Sequence, residues 1–285
     1  MTFRSATHDF LWSAAGLSGA APLASGLLHS STKLRVLMYH DVPAPLLPLF
    51  ESHLKWLTRC FEFASPSDLL CEHTAGKRPK MLLTFDDGCL DNYELVAPLL
   101  ESYGLRGLFF VCPGFAGLSQ KASFALMEQS SQLLGEKARD SRWQRMTREQ
   151  IVDLDKRGHG IGSHTMTHRP LTKIGEEEAL REIRDSAKTL ASWLGHPCQF
   201  FAWAFSWKAI TRESLAAARD CYPYCFSPCS GLNNWPTRNR LLWRTWGDVS
   251  KPVSHLQTQI SGLVDYMYRP QRLDLQSLWN SIAAK

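Results

Sequence analysis

Two adjacent carboxylates, Asp86 and Asp87, follow an apolar run in the stretch LLTFDDG, and two histidines four residues apart, His164 and His168, follow another in GIGSHTMTH. A third histidine, His40, closes the run LRVLMYH. Imidazole and carboxylate are side chains that hold divalent cations. A spacing of four lets two imidazoles from one helical turn reach the same ion, and a carboxylate from a neighbouring strand completes a three-ligand set. Three protein ligands leave a position for water, the arrangement of a catalytic metal rather than a structural one. Two adjacent aspartates can then divide the work. One binds the cation, and the other sits within reach of the water and takes its proton during attack on a carbonyl. Singly, an Asp-Asp pair is more often a turn or a helix cap, and an HxxxH pair a solvated helix face. Their joint occurrence at strand ends reverses that balance.

Such groups need a frame that brings distant strand ends together. LRVLMYH, KMLLTF, LFFVCPG, HGIGSH, CQFFAWAF, YCFS and LLWRTW read as strands. Between them lie helical patterns: FESHLKWLTRCF, NYELVAPLLESYG stopping at Gly104, REQIVDLDKRG opened by the capping box Thr147 and Gln150, the amphipathic GEEEALREIRDSAKTLASWLG, and a helix from about Thr211 to Arg219. Strands alternating with helices imply βαβ units and a parallel sheet buried on both faces. A closed or partly closed barrel and an open sheet both fit more than six strands. In either, ligands sit at the carboxyl ends of the strands. No linker or repeat divides the chain. The domain reading is an N-terminal extension over 1–32, helical or flexible, and one α/β domain over 33–285 with a rim insertion at 113–145.

Composition narrows the partners. The 285 residues carry a formal charge of +5 from 32 basic and 27 acidic side chains spread along the chain, with no basic block of the kind that tracks phosphates. Nucleic acid is therefore not expected. Eight cysteines include Cys221, Cys225 and Cys229 four apart, but no CxxC pair exists and finger-like histidines are missing, so buried, inert thiols are expected. Reduced thiols suit a cytoplasmic or membrane-associated protein. Residues 10–32 hold no formal charge but are rich in Ala, Gly and Ser and broken by Pro22, thin for a bilayer span. That segment is expected to pack on the domain or touch a membrane. A cleaved export signal is the alternative, with only Arg4 against Asp9 at its start. Of ten tryptophans, Trp193 reads as helix packing, whereas Trp203, Trp207 and Trp246 lie near strand ends where they could line a saccharide groove.

Over residues 34 to 250 the chain resembles the polysaccharide deacetylase family, the chitooligosaccharide deacetylase homology domain also called carbohydrate esterase family four. LLTFDDG and GIGSHTMTH are similar to its first two signature motifs, in the right order, and GLFFVCPGF between them fits as well. The resemblance implies a distorted (β/α) barrel of about seven parallel strands. It also implies hydrolysis of N-acetyl groups on amino sugars with a divalent metal, Zn2+ or alternatively Co2+ or Ni2+. By position it makes Asp86 the general base and Asp87, His164 and His168 the metal ligands. The family's aromatic-Pro-Tyr-Gly turn is replaced: Ala204, Phe205 and Ser206 stand in for Pro, Tyr and Gly. Phe205 can still offer the backbone N–H that helps hold an oxyanion. The arginine that usually precedes this turn is missing from CQFF, and Arg244 in LLWRTW resembles a late-strand arginine of exopolysaccharide-associated members, placed to pair with Asp86. The family's late histidine has no counterpart, since His255 lacks its setting. Members with an early YH strand use that histidine instead, which makes His40 the general-acid candidate. The implied substrate is an N-acetylated amino-sugar glycan of an exopolysaccharide or cell envelope. A non-catalytic glycan- or partner-binding relative, and a deacylase acting on a lipid-linked sugar, are the alternatives.

Overall fold

In the computed structural model, which describes residues 30–71, 76–119, 121–123, 125–126, 144–237 and 239–283, the apolar runs are parallel strands. β1 (Lys33–Tyr39), the short β2 (Glu62–Phe63), β3 (Lys80–Phe85), β4 (Leu108–Val111), β5 (Gly160–Ser163), β6 (Phe200–Ala202) and β7 (Tyr224–Ser227) follow one another along the chain. Except for β2, which adds to β3, they pair in that order. A further pair of residues, β8 (Asn233–Asn234), lies antiparallel on β1. LLWRTW is two strands rather than one. β9 (Leu241–Trp243) pairs with β7, β10 (Thr245–Trp246) pairs with β1, and Arg244 lies at the bend. Both ends of the sheet thus belong to one bent segment, and the sheet curls into a nearly closed barrel. With 241–246 counted once, β1, β3, β4, β5, β6, β7 and this segment make seven parallel strands.

The helices clothe the wall: α1 (Leu47–Cys60), α2 (Ala97–Ser102), α3 (Arg148–Lys156), α4 (Glu176–Leu194), α5 (Arg212–Cys221), α6 (Val253–Ile260), α7 (Leu263–Met267) and α8 (Arg269–Ala283). α2 follows a π-helical turn, Asn92–Val96, and its chain turns away through Gly104 at φ +69°. Thr147 and Gln150 close the expected capping box on α3, and Thr211 with Ser214 does the same on α5. The last three helices, α6 to α8, follow no pattern picked out in the sequence. No helix among the described residues is long and apolar enough to cross a membrane. The N-terminal extension up to residue 29, and residues 127–143 of the rim insertion, lie outside the described residues.

Strand side chains alternate with period two. Leu34, Val36, Leu82, Phe110, Ala202, Phe226 and Leu242 fill the barrel. Leu37, Tyr39, Leu83, Phe85, Phe109, Phe201 and Leu241 pack outward with helix residues such as Leu54, Ile183 and Leu215. Each of the valine, leucine, isoleucine and phenylalanine side chains among them contributes roughly 1.5–3 kcal/mol by leaving water. Counting on by two from the inner residues reaches His40 after β1, Asp86 after β3, His164 after β5 and Arg244 after β9. The same alternation that fills the barrel therefore aims these four over its open, carboxyl end.

One glycine makes that inner layer fit. A Cβ on Gly162 would lie 2.5 Å from the Phe110 ring and 3.1 Å from Phe200 Cβ. The Phe110 ring in turn lies under the Arg244 guanidinium, 5.2 Å from centroid to Cζ. Gly162→Ala is expected to overpack the layer and cost about 1–3 kcal/mol, read as a lower urea midpoint; an unchanged midpoint would refute this packing.

Candidate active site

Ten side chains singled out in the sequence, His40, Asp86, Asp87, His164, His168, Trp203, Phe205, Trp207, Arg244 and Trp246, line one cavity of about 320 Å³ at this end of the barrel. Asp86 is 1% exposed, and its Oδ1 accepts from Arg244 Nη1 at 2.6 Å. Burial pushes the Asp86 carboxyl up. Arg244, His164 and His40 outweigh it and hold the group below the ordinary carboxylate range. His164 Nδ1 donates to the Ala202 carbonyl at 2.9 Å, which leaves Nε2 with its lone pair facing the aspartates. Burial, ahead of the neighbouring charges, pulls His164 down to about 4, so its imidazole is neutral at neutral pH.

Asp87, His164 and His168 each offer one donor atom, and all three lie within 4.8 Å of one another. Asp87 Oδ1 stands 3.1 Å from His168 Nε2 and 3.6 Å from His164 Nε2, yet it is buried without a hydrogen-bond partner. Tetrahedral ligands on bonds of ~2.0–2.1 Å sit roughly 3.4 Å apart. An orphaned carboxylate oxygen with two imidazole nitrogens at that separation suits a cation better than it suits direct hydrogen bonds, so the residues fit a divalent metal.

The loops that hold these groups are strained. Among the described residues the non-glycine residues with positive φ are Asp87 at 73°, Thr165 at 70°, His168 at 52° and Phe205 at 66°, all in the loops around this cavity. Such conformations cost of order 1–3 kcal/mol each and persist where the surroundings over-determine them. The expectation of two imidazoles on one helical turn is corrected here. Residues 164–168 form no helix; the left-handed Thr165 and His168 fold the chain back so that both rings converge, with centroids 5.2 Å apart. The replaced turn holds Phe205 at a left-handed φ of 66°, with its ring 4.6 Å from His168, while Ser206, at the family's glycine position, is extended at φ −90°. His40, with Nδ1 buried and unpartnered, lies 4.6 Å from the Trp246 ring.

Two supports were not found in the sequence. Glu182 of α4 accepts from Thr167 N at 2.7 Å and from its hydroxyl, pinning the His164–His168 loop, while Gly114 N donates to Met166 O at 2.9 Å. The signal was available, because Glu182 is a charge three residues from Ala179 on the buried face of α4. Arg145, at the end of the expected insertion, donates to Cys89 Sγ at 3.1 Å, and Met146 N donates to Gly88 O at 3.0 Å. Together they clamp the loop that follows Asp87. No spacing rule would have found that long-range pairing.

Asp91 lies on the same loop. Burial and then the Asp41 charge raise its carboxyl to about 7, while its Oδ2 accepts from Val42 N at 2.9 Å. The folded protein thus holds a proton that the unfolded chain releases near pH 4. Stability from this group is complete below pH ~4 and falls as pH rises to ~7, by at most ~4 kcal/mol. Asp91→Asn is expected to raise the melting temperature over wild type at pH 8 and much less at pH 5. An equal difference at both would refute it.

A nearly closed seven-stranded (β/α) barrel with an Asp-His-His donor set at the carboxyl ends of its strands defines the class. The chain belongs to the polysaccharide deacetylase family, whose model matches residues 73–222. It is 28% identical over 165 residues to YxkH of Bacillus subtilis (strain 168), whose name assigns it to the polysaccharide deacetylases. That match covers 55% of this chain and 50% of YxkH, so the chain spans about half the length of the curated relative. Among solved structures, Streptococcus pyogenes deacetylase PplD in complex with acetate superposes with TM-score 0.60 at 21% identity, over 80% of this chain and 98% of PplD. IcaB from Ammonifex degensii gives TM-score 0.61 at 19% identity, over 82% and 97%. At these identities the likeness is one of fold.

Proposed function

We propose that the protein is a metal-dependent hydrolase that removes N-acetyl groups from amino sugars of an exopolysaccharide or cell-envelope glycan. The observation that carries it is the convergence of Asp87, His164 and His168 beside a separate, ionised Asp86 held by Arg244. A divalent cation on those three ligands, Zn2+ first and Co2+ or Ni2+ in its place, would polarise the acetyl carbonyl and the attacking water. Asp86 takes the proton from water as its oxygen bonds to the carbonyl carbon. Arg244 keeps the carboxylate oriented and charged until then. The Phe205 N–H helps hold the oxyanion. His40 gives a proton to the departing nitrogen as the C–N bond breaks, leaving acetate and a free amine. Trp207 and Trp246 supply aromatic walls suited to a sugar ring, whereas Trp203, 1% exposed and packed edge-on against Phe201, is a core residue at the edge of the cavity and not the groove wall expected from its sequence position.

The test is acetate release from N-acetylglucosamine oligomers by protein loaded with Zn2+ or Co2+, with elemental analysis of the same sample. Metal-loaded protein that frees neither acetate nor formate from a panel of N-acetyl and N-formyl sugars would sink the proposal. His40→Ala is expected to lower kcat about 100-fold with metal content retained; unchanged kcat would remove His40 from the acid role and leave the metal assignment standing.

A further inference from the structure

Four of the eight exposed large apolar side chains among the described residues, Leu263, Tyr266, Met267 and Leu273, fall between residues 263 and 273, so they form one patch rather than scattered positions. Only Tyr268 separates α7 from α8. Tyr268 N donates to Val264 O at 3.2 Å and Arg272 N to Tyr268 O at 3.0 Å, so the two run on nearly as one helix. Leu263, Tyr266, Met267, the exposed Pro270 and Leu273 then recur at i, i+3, i+4, i+7 and i+10, a single stripe along one face. The other face is engaged. Asp265 accepts from Arg35 of β1 and from Ser230, while Leu275 and Trp279 join the core. Tyr266, 74% exposed at the centre of the stripe, packs against nothing comparable.

We infer that residues 10–28 of the same chain cover this stripe. FLWSAAGLSGAAPLASGLL holds no charged side chain and brings Phe10, Trp12 and five leucines. It joins the domain close by. Ser30 stands five residues before Arg35, at most about 18 Å of chain, and Arg35 Nη1 reaches Asp265 Oδ1 on α7 at 2.8 Å. The stripe is about 15 Å long, which ten helical residues span. Charge then decides between this segment and a bilayer. Arg269 and Asp274, exposed beside the stripe, cancel, whereas an anionic membrane surface is held by a surplus of Lys and Arg. An uncharged segment matches a stripe with no net charge. A second copy would have to find the stripe from solution, but a tethered segment meets it at an effective concentration of about mM. Met267 also lines a cavity of about 300 Å³ that shares Arg244 and Trp246 with the active-site cavity, so the covered face borders the active-site mouth.

The test uses the full chain, in two measurements. Hydrogen exchange of the amides of residues 10–28 is compared between wild type and Tyr266→Ser/Met267→Ser, which removes two exposed side chains and no contact of the domain core. Exchange about tenfold faster or more in the variant is expected, because the segment loses its apolar seat. Equal rates overturn the docking. Photo-cross-linking then names the occupant: Tyr266→p-benzoylphenylalanine is irradiated in dilute solution and the products are mapped by peptide mass spectrometry. A cross-link within one chain to residues 10–28 is expected, and it should persist when vesicles of phosphatidylcholine and phosphatidylglycerol are added. Cross-links to a second copy make the stripe a dimer face, and cross-links to lipid that replace the one to 10–28 make it a membrane face; either overturns the inference. Where no cross-link forms, the exchange rates decide.

Discussion

Asp86→Asn is expected to abolish acetate release, by about 10³-fold or more, while bound metal stays at the wild-type level. The asparagine keeps the shape and one acceptor oxygen but cannot take a proton, and the three cation donors, Asp87, His164 and His168, are untouched. The split between activity and metal content is what separates a base from a ligand. The companion Asp87→Asn should lose metal and activity together. If Asp86→Asn sheds the metal too, or keeps more than about a tenth of the activity, the division of labour between the adjacent carboxylates is wrong.

Arg244→Met is expected to cost about 3–5 kcal/mol of stability and to lower activity nearly as far as Asp86→Asn. Arg244 is fully buried, donates to Asp86 at 2.6 Å and covers the Phe110 ring. Without it, burial of Asp86 is opposed only by His164 and His40 and the carboxyl moves up toward its protonated form, so the base loses charge as the fold loses an ion pair. Methionine keeps most of the apolar length, which isolates the charge. The double variant Asp86→Asn/Arg244→Met should be more stable than Arg244→Met alone, because no unpaired buried charge remains. Additive losses in chemical denaturation would show that the two do not act as a pair.

Much of this was legible before any coordinates. The apolar runs LRVLMYH, KMLLTF and GIGS marked the strands, the glycine and cap signals marked the helix ends, and the types and spacing of Asp86, Asp87, His164 and His168 pointed to the cation site and the base proposed above. Those features are local, because strand alternation and capping depend on residues within a few positions of one another. Other features were not legible. An HxxxH spacing cannot distinguish a helical turn from a loop, since the left-handed φ of Thr165 and His168 is imposed by Glu182 and Gly114 from distant segments. Arg145 reaches Cys89 across a long insertion, and nothing near Arg145 in sequence marks it.

The sequence by itself determined which side chains face into the barrel and what chemistry they can do, because both follow from residue type and two-residue alternation. Only the tertiary structure decided that LLWRTW bends at Arg244. One half of it pairs with β7 and the other with β1, a closure set by the geometry of the whole ring. That bend sets one buried guanidinium against Asp86, a pairing across the barrel that strand alternation alone does not specify.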